Sequence, residues 1–438
     1  MDSTPLASPV IGWLRRFGFR FGALYFALHN FTALLGLLPW VDLLDSSPGD
    51  ARGWVNDQWV HLLPWVGHHV LAITREIPTD VTGSGDMTMD WIEAWCFLVL
   101  AFAGALGWAR FDRDRRHDAR VAATLRVMLR YVLGAAMLSY GVAKLAPFGQ
   151  FYPLSFNRML EPFGEFSPMG VLWSFMGASK AYTWFSGFAE IAGGVLLLCR
   201  RTTPLGALVS AGVMFNVVLL NFCYDVPVKL FSTHLLVMAV WLLAPDLRRL
   251  ACVLVLNRPT AAKPPTLDWP QRWQRLAVSG AKVLILTSIF TSTVGSHWLR
   301  VIQFGLSDPP SELTGIWEVD TFAREGVELL PLLTEKVRWR HLVVYGLGGG
   351  VIARRMDGTR LNWRARPIIS PGKLILRSWS KGNAVSLLTF TRSAPDQLRL
   401  EGKLDGASLV VTLHRVDEQK FLLNSRGFHW ISEVPFNR

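Results

Sequence analysis

The fold is decided by the stretch AYTWFSGFAEIAGGVLLLCRRTTPLGALVSAGVMFNVVLLNF, residues Ala181–Phe222. It holds two apolar segments, Ala181–Cys199 and Pro204–Phe222, separated by a short turn with Arg200 and Arg201. A helix needs about 20 mostly apolar residues to cross the hydrocarbon core of a bilayer. The stretch therefore predicts two membrane-spanning helices joined by a basic turn.

Four further segments meet the same length criterion, and a fifth, Leu230–Pro245, is short and becomes adequate only if Lys229 snorkels to the surface, which gives about seven predicted spans in all. The five are Phe17–Leu38, Met89–Trp108, Val127–Ala146, Leu230–Pro245 and Leu276–Trp298. The composition agrees, because 51% of the 438 residues are hydrophobic and only 18% are charged, whereas about 25% charge is usual in a soluble domain. The segment Trp59–Ile73 is too short and too polar to span, and we predict that it forms an interfacial helix.

The basic residues predict the orientation of these spans. Arginine and lysine concentrate in every second connection, and the alternate connections before the last span hold few of them: Arg52, Arg75, Arg158, Lys180 and Lys229. The positive-inside rule then places the N-terminus in the cytoplasm and the C-terminal region outside the cytoplasmic (inner) membrane of a bacterium. The net charge of +12 is attributed to this topology and not to nucleic-acid binding.

The sequence pattern changes after Trp298. From Glu312 to Arg438, apolar and polar residues alternate in short runs separated by turn signals such as Asp405-Gly406. Seven or eight strands of this kind predict a small antiparallel barrel or sandwich. Gly315-Ile316-Trp317 resembles the G-x-W motif that opens lipocalin barrels, and an ordinary strand tryptophan is the alternative interpretation.

These patterns divide the chain into five predicted regions. They are an N-terminal two-span segment with an interfacial helix (1–126), a four-helix membrane core (127–250), a cytoplasmic linker (251–275), the last span and its connector (276–311), and an extracytoplasmic β domain (312–438).

Polar residues within the predicted spans are the candidate functional residues, because ionisable side chains are costly in hydrocarbon and usually face the bundle interior. The predicted catalytic residues are Glu190, His234, Lys144 and Tyr140. The predicted ligand-binding residues are Asn216, Asn221, Tyr224, Asp225, Asp90 and Glu93. No metal site is predicted, because no Asp, Glu or Cys completes a recognisable spacing with the histidines at positions 61, 68 and 69.

Two interpretations of the polar residues remain open at this point. In the first, a quinone ring accepts hydrogen bonds from Lys144, His234 or Tyr140 in the outer half of the bundle, and Glu190 exchanges protons with it. In the second, Glu190 pairs with Lys144 or contacts Asn216 and only holds helices together.

Two connections carry similar alternatives. The aromatic-rich Pro147–Lys180 is either a lid over the outer half of the bundle or a pair of interfacial helices. The turn TGSGDMTMDW, Thr82–Trp91, either exposes backbone N–H groups to an anion or is a helix cap made by Asp86 or Thr88.

The region from about Leu129 to Leu250 resembles the DoxX family of four-helix membrane proteins. The residues that carry the likeness are GFAEIAGGVLLLCRRTTPLGALV and NFCYDVPVKLFSTHLLVMAVWLLAPD. The resemblance implies a four-helix core and a role beside membrane electron transfer, since one branch of the family is a subunit of thiosulfate:quinone oxidoreductase. A fainter likeness is to the membrane domain of vitamin K-dependent carboxylase-like proteins.

The resulting function hypothesis is a quinone-linked or redox-associated membrane subunit, an oxidoreductase component that works with a partner subunit. The first alternative is a non-enzymatic carrier or scaffold whose β domain holds a lipid or another apolar ligand. The second alternative is a vitamin K-carboxylase-like membrane enzyme.

Overall fold

A computed structural model gives the structure of the chain. It describes residues 9–36, 51–80, 82–111, 115–145, 149–151, 154–261, 271–295, 298–299, 312–345, 350–364, 372–378, 385–427 and 429–434. The chain forms two compact units. The first comprises Met1–Leu145 and Trp184–Ser296, and the second comprises Ala146–Thr183 and His297–Arg438.

Helices dominate the first unit. In chain order, the described helices of the whole chain are α1 (Pro9–His29), α2 (Phe31–Gly36), α3 (Ala51–His69), α4 (Thr88–Phe111), α5 (Arg115–Ala143), α6 (Phe156–Met159), α7 (Pro168–Ala178), α8 (Lys180–Leu198), α9 (Thr203–Cys223), α10 (Lys229–Leu243), α11 (Leu247–Leu254), α12 (Arg272–Phe290) and α13 (Leu422–Ser425). Leu129, Leu133, Met238 and Leu242 are nearly inaccessible in the core of this unit.

Six of the described helical segments are long and apolar enough to cross a membrane. They are Thr88–Phe111, His117–Ala143, Lys180–Leu198, Thr203–Cys223, Lys229–Leu254 and Arg272–Gly295. Each corresponds to one predicted span, so the prediction of a polytopic helical bundle is confirmed at this level.

The N-terminal segments differ from the sequence prediction in detail. Phe17–Leu38 was predicted as one span, but α1 ends at His29 and α2 begins at Phe31, and neither is among the six. The reason is the three arginines that α1 carries, at positions 15, 16 and 20, and the turn at Asn30. The segment predicted as an interfacial helix, Trp59–Ile73, is helical up to His69 and forms part of α3, which begins earlier, at Ala51, and contains Pro64.

An antiparallel sheet forms most of the second unit. Its strands are β1 (Gly315–Arg324), β2 (Val327–Glu328), β3 (Trp339–Val344), β4 (Val351–Arg355), β5 (Arg360–Arg364), β6 (Lys373–Ser378), β7 (Val385–Ala394), β8 (Gln397–Leu404) and β9 (Ala407–Val416). The short β2 pairs with β1, β1 also pairs with β3, and each strand from β3 onward pairs with the next. Because β1 pairs with β9 as well, the sheet closes into a barrel. Asp405 and Gly406 have positive φ angles of 52° and 85° and form the predicted hairpin turn between β8 and β9.

Side chains fill the barrel core. Trp317, Trp339 and Trp363 are all buried there, together with leucines and valines from the other strands. The indole nitrogen of Trp317 donates a hydrogen bond to the carbonyl oxygen of Leu313 at 2.8 Å. The predicted G-x-W tryptophan is therefore a core residue of the barrel.

The connection between α5 and α8 packs against this barrel within the second unit. Its backbone N–H at Asn157 donates to the hydroxyl of Tyr345 at 3.3 Å. A guanidinium N–H of Arg360 lies 2.8 Å from Glu161, and Arg354 donates to the carbonyl oxygen of Leu160. These contacts tie the connection to β4 and β5 within the second unit.

Candidate functional site

A cavity of about 670 Å³ lies inside the first unit, between α1, α2, α4, α5 and α10. Most of its lining is apolar, with Phe97, Val132, Leu235 and Met238 among the lining residues. Its polar lining is contributed by His29, Asn30, Trp59, Glu93, Ser139, Tyr140, Thr32, Ser292 and Thr293. This cavity is the candidate site.

A second cavity of about 400 Å³ adjoins the first and shares His29, Glu93, Tyr140 and Phe231 with it. It adds Asp90, His234 and the turn Gly83–Gly85 to the lining. The two cavities together lead from a predicted surface turn to the interior of the bundle.

The order of the helices explains why these residues meet. His29 is the last residue of α1, and Tyr140 is three residues before the end of α5. Glu93 and His234 each occupy the sixth position of their helices, α4 and α10. Since two helices end and two begin at this level of the bundle, their terminal turns bring the four side chains together.

His29 and His234 stack on each other, with ring centroids 3.9 Å apart. Nδ1 of His234 lies 2.7 Å from the carbonyl oxygen of Leu230, and its Nε2 lies 2.5 Å from the hydroxyl of Tyr25. A carbonyl oxygen only accepts, so Nδ1 carries the proton, and in the neutral ring Nε2 accepts from the Tyr25 hydroxyl. Both nitrogens of His234 are therefore occupied by the protein.

Several polar side chains of the larger cavity, by contrast, have no hydrogen-bonding partner among the described residues. His29, Glu93 and the hydroxyl of Tyr140 form no hydrogen bond or ion pair with any residue in the described part of the chain. Asn30 is 3% exposed and uses its amide nitrogen on the carbonyl oxygen of Phe26, at 2.9 Å. Its amide oxygen remains for a ligand.

Lys144 and Glu190 form a closed ion pair. The ammonium nitrogen of Lys144 lies 2.9 Å and 2.7 Å from the two carboxylate oxygens of Glu190, and both side chains are buried. Neither residue lines the two cavities. The ammonium also lies 5.8 Å from the ring centroid of Tyr140, so the pair contacts the back of a cavity residue.

Glycines bring α5 and α8 close enough for this pair to form. A Cβ atom at Gly187 would lie 2.8 Å from the carbonyl oxygen of Gly141, and one at Gly194 would lie 3.0 Å from that of Gly134. Both contacts are too close for a side chain, which explains the small residues that flank Glu190 in the sequence.

The other predicted ligand-binding residues divide into two groups. Asp90 and Glu93 line the cavities, although a carboxylate oxygen of Asp90 also accepts from the backbone N–H of Met87 at 2.7 Å. The residues of the second group, which do not line either cavity, are Asn216, Asn221, Tyr224 and Asp225.

Protein contacts account for two residues of the second group. The side-chain amide nitrogen of Asn221 donates to the hydroxyl of Ser232 at 3.0 Å, and Asp225 lies 2.7 Å from the ammonium of Lys229. Tyr224 is the residue that follows α9, and Asn216 is exposed on that helix.

The turn Thr82–Trp91 acts as a cap. The two carboxylate oxygens of Asp86 accept hydrogen bonds from the backbone N–H groups of Lys229 and Leu230, each at 2.8 Å. These groups begin α10, so Asp86 caps a helix distant in sequence and not its own. The sequence left two roles open for this turn, anion binding and helix capping, and these contacts correspond to helix capping.

His29 and Asn30, which the sequence places among the polar residues of the first predicted span, are functional candidates outside the predicted catalytic and ligand-binding sets. They fall at the break between α1 and α2, which the apolar pattern of Phe17–Leu38 conceals. The adjacent His-Asn pair inside an apolar segment is the signal that points to them. Within the described residues, no group of three or more His, Cys, Asp and Glu side chains is arranged to hold a metal ion.

Fold and site define a class: a bundle with six helices, among the described residues, long and apolar enough to cross a membrane, a mostly apolar cavity with polar groups in its lining, and a C-terminal β barrel. No protein-family model and no solved structure matches the chain. Over 138 residues it is 36% identical to the uncharacterized protein YwoB of Bacillus subtilis (strain 168), an alignment that covers 30% of this chain and 79% of that protein. The chain therefore belongs to the family of YwoB.

Proposed function

We propose that this protein binds a lipid-soluble ligand with a polar head group, of the quinone class, in the larger cavity of its helical unit, as a redox-associated membrane subunit. One observation carries the proposal. His29, Glu93 and Tyr140 face an apolar cavity, and none of them has a hydrogen-bonding partner among the described residues. Polar groups that line an apolar cavity without protein partners are available to a ligand that supplies partners.

The size and lining of the cavity suit such a ligand. Its volume of about 670 Å³ lies within the range of roughly 300–1,000 Å³ that small-molecule sites occupy. The apolar walls match a hydrocarbon tail, whereas the polar edge matches a ring with two oxygen atoms. The hydroxyl of Tyr140 and the amide oxygen of Asn30 offer a donor and an acceptor at that edge.

Proton exchange is the chemistry that the polar edge supports. Reduction of a quinone to a hydroquinone takes up two electrons and two protons, and in our proposal a partner subunit exchanges the electrons. Glu93 lines both cavities and Asp90 lines the second, so the carboxylates extend from the ligand edge toward the turn Gly83–Gly85. His29 and Glu93 are the groups placed to give or receive protons at the ligand.

The predicted catalytic residues take two different roles in this proposal. Tyr140 and His234 act at the cavities, where His234 is held by Tyr25 and supports the ring of His29. Lys144 and Glu190 act as positioning residues, because they pair with each other and do not line the cavities, and the Lys144 ammonium lies near the ring and the backbone carbonyl oxygen of Tyr140.

We also propose that the barrel lies outside the cytoplasmic membrane. The α5–α8 connection joins two helices of membrane-spanning length, and it forms one compact unit with the barrel. The connection and the barrel must then occupy the same side of the membrane. Few basic residues lie in the connections predicted for that side, which supports the outer assignment.

The two alternatives receive less support. A barrel carrier needs interior space for its ligand, whereas Trp317, Trp339 and Trp363 fill this interior. The scaffold form of that alternative is consistent with the ion pairs that tie the α5–α8 connection to the barrel. None of the contacts described above favours the carboxylase-like alternative.

Ligand extraction followed by titration tests the proposal. The full-length protein is purified in native lipid nanodiscs, its extractable quinones are measured by mass spectrometry, and decylbenzoquinone is titrated by calorimetry. We expect quinone to be retained, and we expect Glu93→Gln and His29→Gln to weaken binding at least tenfold. His68→Gln is the matched control, because His68 is exposed, lines neither cavity and contacts the carbonyl oxygen of Ile73. Absence of both retained quinone and titratable binding would refute the proposal.

A further inference from the structure

Asn216 is a polar residue in an unexpected position on α9. It is the fourteenth of the 21 residues of Thr203–Cys223, so at a rise of about 1.5 Å per residue it lies about 10 Å from the nearer helix end. Its side chain is exposed, and it forms no hydrogen bond within the described part of the chain. Asn221 and Thr203 on the same helix do have partners, Ser232 and the carbonyl oxygen of Cys199.

An exposed amide at this depth requires a partner. The hydrocarbon core offers neither donors nor acceptors, and an amide without hydrogen bonds there costs several kcal/mol on water-to-cyclohexane scales. The asparagine side chain is too short to reach the interface from about 10 Å inside the helix end. Polar residues of this kind hold transmembrane helices together when a second helix supplies the partner.

The surroundings of Asn216 leave room for a second helix. Gly212, Leu219 and Cys223 lie at spacings of four, three and four residues along the same face of α9, and all are exposed. A Cβ atom at Gly212 would meet nothing within 4 Å. A glycine one turn from the amide allows close approach of the helix backbones.

We propose that this face of α9 pairs with the same face of a second copy of the chain, through a hydrogen-bonded pair of Asn216 side chains. Copies inserted in one membrane with the same orientation place identical residues at identical depth around a two-fold axis normal to the bilayer. A primary amide carries both a donor and an acceptor, so two copies satisfy each other with two hydrogen bonds. The amide is thus self-complementary, and its most direct partner is itself.

The native cysteine at position 223 supplies a direct test of the geometry. It lies seven residues, two helical turns, after Asn216 on the same face, so the symmetric pair brings Cys223 close to its copy. In a variant with Cys96, Cys199 and Cys252 replaced by serine, mild oxidation in proteoliposomes should give a disulfide-linked dimer. Asn216→Leu in that background should reduce the cross-linked fraction severalfold, and Cys223→Ser should abolish it.

Dimerisation of the full-length chain is measured in parallel by single-molecule subunit counting at increasing dilution in lipid. We expect Asn216→Leu to weaken dimerisation roughly tenfold, Asn216→Gln to retain it, and Val240→Leu, on an exposed face of α10, to leave it unchanged. An unchanged melting temperature shows that the leucine variant is folded. A monomeric wild type, an Asn216→Leu variant that dimerises as the wild type does, or association only with a different membrane protein would overturn the proposal.

Discussion

Breaking the Lys144–Glu190 pair distinguishes a structural ion pair from a working part of the site. The ammonium lies 2.7 Å and 2.9 Å from the two carboxylate oxygens. At an effective dielectric constant of about 20, two charges at this separation attract by about 6 kcal/mol. Desolvation of the two ions costs several kcal/mol each, so the net contribution of the intact pair is small.

Removal of one partner is expected to be far more harmful than removal of both. Glu190→Gln or Lys144→Met leaves a buried group without its partner, and each should lower the free energy of unfolding by about 3–5 kcal/mol. Lys144→Met combined with Glu190→Leu should return the protein to within about 2 kcal/mol of the wild type. The coupling energy of the double-mutant cycle is then several kcal/mol.

Steric trapping in bicelles measures these unfolding free energies for the full-length protein, and decylbenzoquinone titration supplies the second readout. A stable double variant with normal ligand affinity identifies the pair as interhelical support. A stable double variant with lost affinity shows that Tyr140 needs the ammonium behind its ring. Single substitutions that cost less than about 1 kcal/mol, or costs that simply add in the double variant, would refute the reasoning.

Three further predictions concern other elements. Burial and the nearby Arg340 lower the pKa of His341 to about 4. Below pH 6.5 the unfolded chain therefore binds a proton that the folded barrel does not, and the barrel should lose about 2–3 kcal/mol of stability as the pH falls from 6.5 to 4. Melting curves of the wild type and of His341→Phe across this pH range check the prediction, since the variant should lack that pH dependence. Gly187→Ala should destabilise the bundle by about 1–3 kcal/mol, because the added Cβ atom clashes with the carbonyl oxygen of Gly141. Gly107→Ala is the control and should leave the stability unchanged, because a Cβ atom there meets nothing within 4 Å. Equal melting temperatures of the two variants would contradict the prediction. Asp86→Ala should cost about 1 kcal/mol by uncapping α10. The control is Asp225→Asn, because asparagine tolerates the positive φ angle of 51° at that position, and an equal loss in the control would show that the cap is not responsible.

The sequence predicts the helices and strands well, but it does not predict which side chains of distant elements contact each other. Long apolar segments predicted the six helices because membrane length is a local property of the chain. Asp405-Gly406 predicts its hairpin because a tight turn requires positive φ angles at two adjacent residues, and aspartate and glycine tolerate such angles. The break at Asn30 was missed, because the apolar pattern continues on both sides of it. The contact between Lys144 and Glu190 was left as one of two alternatives, since it depends on the distant Gly141 and Gly187.

The cost of a polar group in hydrocarbon does not by itself locate a functional site. Glu190 is the most deeply buried of the predicted catalytic residues, yet Lys144 satisfies its charge within the protein. Glu93 and His29 are less buried and have no hydrogen-bonding partner among the described residues. A polar side chain whose hydrogen-bonding partner lies within the protein helps to stabilise the bundle. A polar side chain without such a partner among the described residues is a candidate for binding a ligand or another chain. We therefore infer that ligand chemistry in this protein is sited at His29 and Glu93, and that the same reasoning, applied to the outward-facing Asn216, leads to a second copy of the chain.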